Sequence, residues 1–283
     1  MPLSDVNIEL LRSLSRLLND APDFIAPDDV ESLAADGLSA KDAVAIMVAA
    51  AIGLDLDNDE HFAFFNRYFP HIFKQLDKND YTSNAYYKNI LFPTLRHGRW
   101  QLKQSSYKPY ELFVCDDFSN LNGMALPQIG FFDTTFAYPA VLEDGRIWMT
   151  VTPNEINTMR HAVDTATGKV LTFGLGLGYY AYMASLKNEG ESITVADCDS
   201  EITKMFESYI LPQFPHPEKV KIVNSDAFDY AKNTMPKMGF DLVFTDIWHD
   251  AGDGLELYRK MKSLECEGPK FEYWIEETLK WYL

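Results

Sequence analysis

KVLTFGLGLGYYAYMASLKNEGESITVADCD, residues 169–199, changes character four times in thirty-one positions. Val170-Leu171-Thr172-Phe173 is a short apolar run of the kind that forms a buried strand. Gly174, Gly176 and Gly178 follow on alternate positions. Tyr179 to Lys187 is rich in helix formers and is closed by Gly190. Ile193-Thr194-Val195-Ala196 is a second apolar run, and it ends on Asp197. The order is strand, glycine turn, helix, strand, acid, which is half of a nucleotide site. Glycines let a backbone turn tightly and approach a ligand closely. A helix N-terminus offers unpaired N–H groups. An acid at the tip of the second strand is placed to accept ribose hydroxyls.

The alternation continues towards the C-terminus. Ser200 to Leu211 reads as a helix capped by Asp199 or Ser200, and Pro212, Pro215 and Pro217 interrupt the chain after it. Val220 to Val223 is a third strand, leading into Ser225-Asp226-Ala227-Phe228 and a short helix to Asn233. Gly239 to Thr245 is a fourth strand with Asp246 at its tip. Gly254 to Leu264 is helical. Phe271 to Ile275 is the expected fifth strand, and Glu276 to Leu283 a last turn or helix. Strands alternating with helices imply right-handed crossovers and a mostly parallel sheet. Ligands of such sheets bind beyond the carboxyl ends of the strands. The glycines, Asp197, Asp226 and Asp246 all fall there. Each acid alone also reads as a helix cap or a loop acid, and the pattern of three at successive tips is what points to a site.

Towards the N-terminus, Thr152-Pro153-Asn154-Glu155 opens a helix to about Val163, with Thr152 as cap and Glu155 as its capping-box partner. Before it, Glu143-Asp144-Gly145-Arg146 carries the Asp-Gly signal of a hairpin. Leu112 to Cys115, Phe131 to Phe136, Val141-Leu142 and Ile147 to Val151 are strand-like, giving a small antiparallel unit. Residues 1–105 read as helical. Ile8, Leu11, Leu14, Leu17 and Leu18 recur at helical steps, Ser39 with Asp42 looks like a capping box, and aromatic residues crowd 62–92. The expected organisation is a helical domain over 1–105, a small β unit over 106–152 and a nucleotide domain over 153–283. The helical region shows no chemistry and is assigned to a cap or to the surface of a homodimer.

The 283 residues are 47% hydrophobic and 14% aromatic, ample for a core. The net charge of −17 weighs against a nucleic-acid partner, since phosphate binding is dominated by Lys and Arg. It suits solubility or a cationic substrate. Cys115, Cys198 and Cys266 are far apart without metal spacing, and His61, His71 and His97 show no i, i+4 pairing, so no metal site is expected. Thiols of this kind, with no basic and apolar leader, fit a reduced, cytoplasmic compartment. Ala43 to Leu54 is too short to span a bilayer, so no membrane partner is expected.

The dinucleotide fingerprint G-x-G-x-x-G is not met, because Tyr179 stands where it requires glycine; a nicotinamide enzyme is disfavoured. VLTFGLGLG, ITVADCD, KIVNSDAFDYA and FDLVFTDIW, in this order and spacing, instead resemble the motif series of class I S-adenosyl-L-methionine (SAM)-dependent methyltransferases, and within that superfamily the spermidine-synthase-like branch. The resemblance covers about Asn154 to Ile275. It implies a Rossmann-like class I methyltransferase sheet and SAM as cofactor. Gly174, Gly176 and Gly178 would lie along the methionine and ribose, Asp197 would bridge the ribose hydroxyls, and Asp226 with Ala227 would meet the adenine. Asp246 with Ile247 would face the methionine end and the acceptor, and Asp246 and His249 are the candidate bases, although such a histidine is more often a surface or hydrogen-bonded one. Trp248, Tyr179 and Tyr180 would wall the pocket or simply pack the core.

The sequence departs from the family in three places. Thr172 stands where an acid usually precedes the first glycine, so the methionine amine must be held differently or weakly. Asp246-Ile247-Trp248-His249 is not the D/N-P-P-Y form of enzymes that methylate DNA or protein amines. The chain ends soon after its fifth strand, so the sheet is either short or completed by the Tyr107–Val151 segment. The expected activity is methyl transfer to a small-molecule acceptor, cationic if the acidity is informative. The alternatives are aminopropyl or aminocarboxypropyl transfer and a catalytically inactive nucleoside-binding protein.

Overall fold

The computed structural model describes residues 3–283. In chain order the strands are β1 (Phe73–Gln75), β2 (Leu95–His97), β3 (Trp100–Tyr107), β4 (Phe113–Leu121), β5 (Met124–Phe131), β6 (Phe136–Glu143), β7 (Arg146–Thr150), β8 (Gly168–Phe173), β9 (Gly190–Asp197), β10 (Val220–Asn224), β11 (Leu242–Thr245) and β12 (Lys270–Tyr273). The α-helices are α1 (Asp5–Asp20), α2 (Pro27–Ala35), α3 (Ala40–Ala51), α4 (Asp59–Tyr68), α5 (Lys78–Thr82), α6 (Ala85–Asn89), α7 (Pro153–Thr158), α8 (Arg160–Thr165), α9 (Tyr179–Ser185), α10 (Ser200–Tyr209), α11 (Ala227–Asn233), α12 (Ala251–Lys262) and α13 (Glu276–Lys280).

The chain divides into two compact units. The first holds Met1–Asp80, Ser106–Ala137 and Trp281–Leu283, and the second Tyr81–Ser105 and Tyr138–Lys280. The sequence boundaries at 105/106 and 152/153 follow changes in element type, whereas contacts divide the chain at 80/81, 105/106, 137/138 and 280/281. The chain enters the second unit, leaves it and returns.

In the first unit α1 to α4 pack with a three-stranded sheet of order β1-β5-β4. Residues 1–105 are therefore not wholly helical. β1 joins β5 in parallel, Phe73 opposite Ile129, and β4 runs antiparallel on the other side. Leu10, Leu14, Val44, Val48, Phe69, Ile129 and Phe131 share one core. Ser39 accepts the N–H of Asp42 and caps α3. The buried amide of Asn7 pairs with Ala125 like a strand, accepting its N–H at 2.9 Å and donating to its carbonyl at 2.7 Å.

In the second unit a four-stranded sheet has order β2-β3-β6-β7. Its hairpin β2–β3 escaped the sequence reading, yet β3 alternates buried Trp100 and Leu102 with more open Gln101 and Lys103, the period of a half-buried strand. The stretch 106–152 is thus not one β unit: β4 and β5 belong with β1, while β6 and β7 belong with β2 and β3. The larger sheet is all parallel, ordered β10-β9-β8-β11-β12. Counted along the unit this is 3-2-1-4-5, the doubly wound Rossmann order. Its central strands are continuous apolar runs because both faces are covered: Val170, Leu171, Ile193, Val195 and Val243 are fully buried. The sheet is short, and the Tyr107–Val151 segment does not complete it. The helix expected from Thr152 to Val163 is two pieces, α7 and α8, meeting at Met159.

Helix α9 is held by tyrosines rather than by length. Tyr86 is T-shaped to Tyr179 and Tyr182, with centroids 5.6 and 5.4 Å away, and donates its hydroxyl to the Leu177 carbonyl at 2.7 Å. Asn84 and Asn89 donate to the Tyr179 and Tyr182 hydroxyls. Tyr180 lies against Phe244. These tyrosines are chiefly core.

Candidate nucleoside site

Strand order reverses between β8 and β11, where Phe173 pairs with Thr245. The helices after these two strands leave in different directions, so a crevice opens beyond their carboxyl ends. A cavity of about 550 Å³ lies there, lined by Gly174, Gly176, Asp197, Asp226, Ala227, Asp246 and His249, among others. Gly174, Gly176, Asp197, Asp226, Ala227, Asp246, Ile247 and His249 therefore meet at one cavity. Gly178 does not line it.

The glycine turn is needed for two different reasons. Gly174 has φ +92° and a Cβ there would overlap the carbonyl oxygen of Asp246; bare backbone lets the loops after β8 and β11 touch. Gly178, φ +76°, is the left-handed residue before α9, and a Cβ there would enter the Phe206 ring. Its role is packing.

Asp197 is fixed from two sides. Oδ2 accepts the Leu175 N–H at 3.0 Å and Oδ1 accepts the Asp199 N–H at 2.8 Å. Burial raises its pKa against the pull of those two N–H groups. Each carboxylate oxygen retains a second acceptor position. Asp226 caps α11, its Oδ1 accepting from Phe228 and Asp229, both at 2.9 Å. The cap and the cavity position coexist, because both cap bonds use one oxygen.

Beneath the cavity is a recess of about 10 Å³, which shares Glu155, Gly174 and Asp246 with it and adds Thr172, Tyr179 and Tyr180. This is room for one water-sized group. Desolvation pushes the Asp246 carboxyl from 3.8 up to about 7. Glu155 is 7% exposed, its pKa raised by burial and then by the charge of Asp246. Its Oε2 is buried without a hydrogen-bond partner. Thr152 forms no side-chain cap on α7, so Glu155 is not half of a capping box. It turns into the recess.

The cavity mouth is aromatic and charged. Arg99, from the β2–β3 turn, pairs with Asp199 and, at 3.0 Å, with Glu143. It lies 5.2 Å from the Trp100 ring centroid. Trp100 meets Trp148 edge-on, and Trp148 meets His249 at 4.4 Å. His249 Nδ1 is 3.1 Å from Asp253 Oδ2, a contact that fixes the ring. Trp100 and Trp248 each carry a buried indole N–H without a partner, and both side chains line the cavity.

Sequence reasoning missed Glu155, Arg99, Trp148 and Asp253. No sequence signal singles out Glu155, because Thr152 and Glu155 match a capping box and its burial is seen only in the fold. Among the described residues no group of His, Cys, Asp and Glu is placed to hold a metal ion. No helix of the described residues is long and apolar enough to cross a membrane.

No family model matches the chain, and no curated protein matches it. Solved structures resemble part of it, two of them as follows. One is a provisionally named methylase from Haemophilus influenzae, with TM-score 0.31 and 19% identity over 39% of this chain and 61% of that one. The other is a provisionally named SAM-dependent methyltransferase from Streptococcus mutans, with TM-score 0.36 and 16% identity over 52% of this chain and 43% of that one. The chain thus spans less than two thirds of the length of either. Likenesses of this size assign no activity.

Proposed function

We propose that the protein is a SAM-dependent methyltransferase of the class I superfamily acting on a small-molecule acceptor. The observation that carries this reading is the convergence of the Gly174–Gly176 turn, Asp197, Asp226 and Asp246 on one cavity at the reversal point of a 3-2-1-4-5 sheet. Its volume suits a nucleoside-sized ligand with an acceptor beside it.

The residues fit the cofactor. The turn is free of side chains where a ligand must approach, and Asp197 has acceptor positions to spare for two ribose hydroxyls. By the resemblance, Asp226 with Ala227 would meet the adenine edge and Asp246 would face the methionine end; all three line the cavity. When bound, SAM supplies an electrophilic methyl group on sulfur. The chain then needs to place the acceptor in line and exclude water, work that positioning largely accomplishes. Trp148, Trp248 and Trp274 supply apolar walls, and an aromatic face also favours a cationic acceptor. An ammonium acceptor must lose a proton to attack. Asp246, with its pKa near neutrality, and His249, oriented by Asp253, are the groups assigned to take it.

Calorimetric titration with SAM, S-adenosylhomocysteine and NAD, repeated on Asp197→Ala, tests the reading. Micromolar binding of the sulfur nucleosides, lost in the variant, is expected; a folded protein that binds neither overturns it. The cluster of acids favours one second reading, aminopropyl or aminocarboxypropyl transfer to an amine. Product analysis separates them, since methyl transfer leaves S-adenosylhomocysteine and the others leave methylthioadenosine. Nucleoside binding without turnover on any acceptor would mark a binding protein.

A further inference from the structure

We propose that the recess between Glu155 and Asp246 is an ammonium site, which takes one primary –NH3+ group of the ligand filling the cavity above it. Three observations on the geometry support this. The space is the size of one water molecule, which is also the size of an ammonium head. Two carboxyl groups line it, and no lysine or arginine does. One of those acids, Glu155, is more than nine-tenths buried with an unpartnered Oε2. A buried carboxyl oxygen without a partner is costly, and such a group marks a place where a ligand can supply the missing donor. Glu155 thereby substitutes, from α7, for the acid that Thr172 does not provide on β8.

Charge balance fixes the accompanying proton movement. Burial favours the protonated form of both carboxyls. An entering ammonium needs carboxylates, so at least one proton leaves to solvent as the cation arrives. The other titratable groups on the recess are Tyr179 and Tyr180. Burial pushes the Tyr179 hydroxyl up to about 12 and raises that of Tyr180 as well, so both stay neutral. Across the cavity stand Asp197, Asp199, Asp226, Glu143, Cys198, Arg99 and His249. Affinity for an ammonium-bearing ligand therefore rises with pH between about 6 and 8.

The amine has two sources within the reading given above, on which its identity rests: the methionine part of the cofactor or the acceptor. S-adenosylhomocysteine and its desamino analogue are titrated into wild type and Glu155→Gln, each with a thermal melt to establish folding. If the cofactor supplies the amine, wild type prefers S-adenosylhomocysteine by about tenfold or more, and the preference falls below about threefold in the variant. Binding enthalpies that vary with the buffer report the released proton. If the acceptor supplies it, the two nucleosides bind alike in both proteins. 1,4-Diaminobutane then binds methylthioadenosine-loaded wild type and loses about tenfold in Glu155→Gln. If neither ligand pair distinguishes wild type from variant, the ammonium site is wrong. If no nucleoside binds, the proposed function fails by itself, and the recess is tested with 1,4-diaminobutane alone. A thermal shift in wild type absent from Glu155→Gln sustains the site, and equal shifts or none overturn it.

Discussion

Gly174 answers two demands, a left-handed φ of +92° and a carbonyl pressed against its α carbon. Gly174→Ala is expected to lose at least about 1 kcal/mol of stability and most nucleoside affinity, read by denaturant melts and calorimetry. Gly176→Ala, whose Cβ would meet only the flexible end of Met149, is expected to cost less in both. Asp246 makes a pH prediction. Its folded pKa of about 7 lies above the ordinary 3.8, so the folded protein holds a proton that the unfolded chain releases. That stabilisation is complete below about pH 4 and is lost as pH rises towards 7. The melting temperature of the ligand-free protein should fall between pH 5 and pH 7.5, and Asp246→Asn should make the fall smaller, with Glu155 still titrating. Asp197 and Asp246 were legible in sequence because each ends an apolar run. Glu155 was not, because its burial depends on Thr172 and Asp246, both remote along the chain, while its local setting satisfies a capping rule.

At the scale of elements, the parallel sheet was legible because β8, β9 and β11 carry apolar runs set between helices. β1 was not, since three residues, Phe73-Lys74-Gln75, carry no period and become a strand only by pairing with β5. Helix α11 offers a separation of roles. Asp226 both caps it and borders the cavity. Asp226→Asn keeps a capping oxygen, and its stability should match wild type to within a few tenths of a kcal/mol. Asp226→Ala should lose about 1 kcal/mol. Because Asn carries an amide in place of one carboxylate oxygen, both variants should weaken nucleoside binding if the adenine amine docks there. Unchanged affinity in the Asn variant would leave Asp226 as a cap alone.

Across the molecule, the fragment 153–283, assigned in sequence to the nucleotide domain, is not a separate unit in structure. It lacks Tyr86, whose ring packs on Tyr179 and Tyr182, Tyr87, which donates to the Val151 carbonyl, and the Trp100–Trp148 contact at the cavity mouth. Expressed alone it should show poor amide dispersion and no cooperative melt. This division was hidden from sequence because chain order was taken for spatial order, and here the chain leaves the second unit at 105 and returns at 138. The net charge of −17 acts at the same scale. Association of the cationic SAM should slow with added salt more than that of S-adenosylhomocysteine, which stopped-flow measurements can compare.

The cavity draws on Arg99 near one end of its unit and Trp274 near the other. On the ribosome its first wall is made long before its last, and Asp246 meets Gly174 only after most of the chain has emerged. No half-made chain has the whole cavity, so the nucleoside proposed above would hold only chains whose second unit is assembled: in a cell supplied with that ligand, assembled copies should gain protection from proteolysis that partial copies do not acquire.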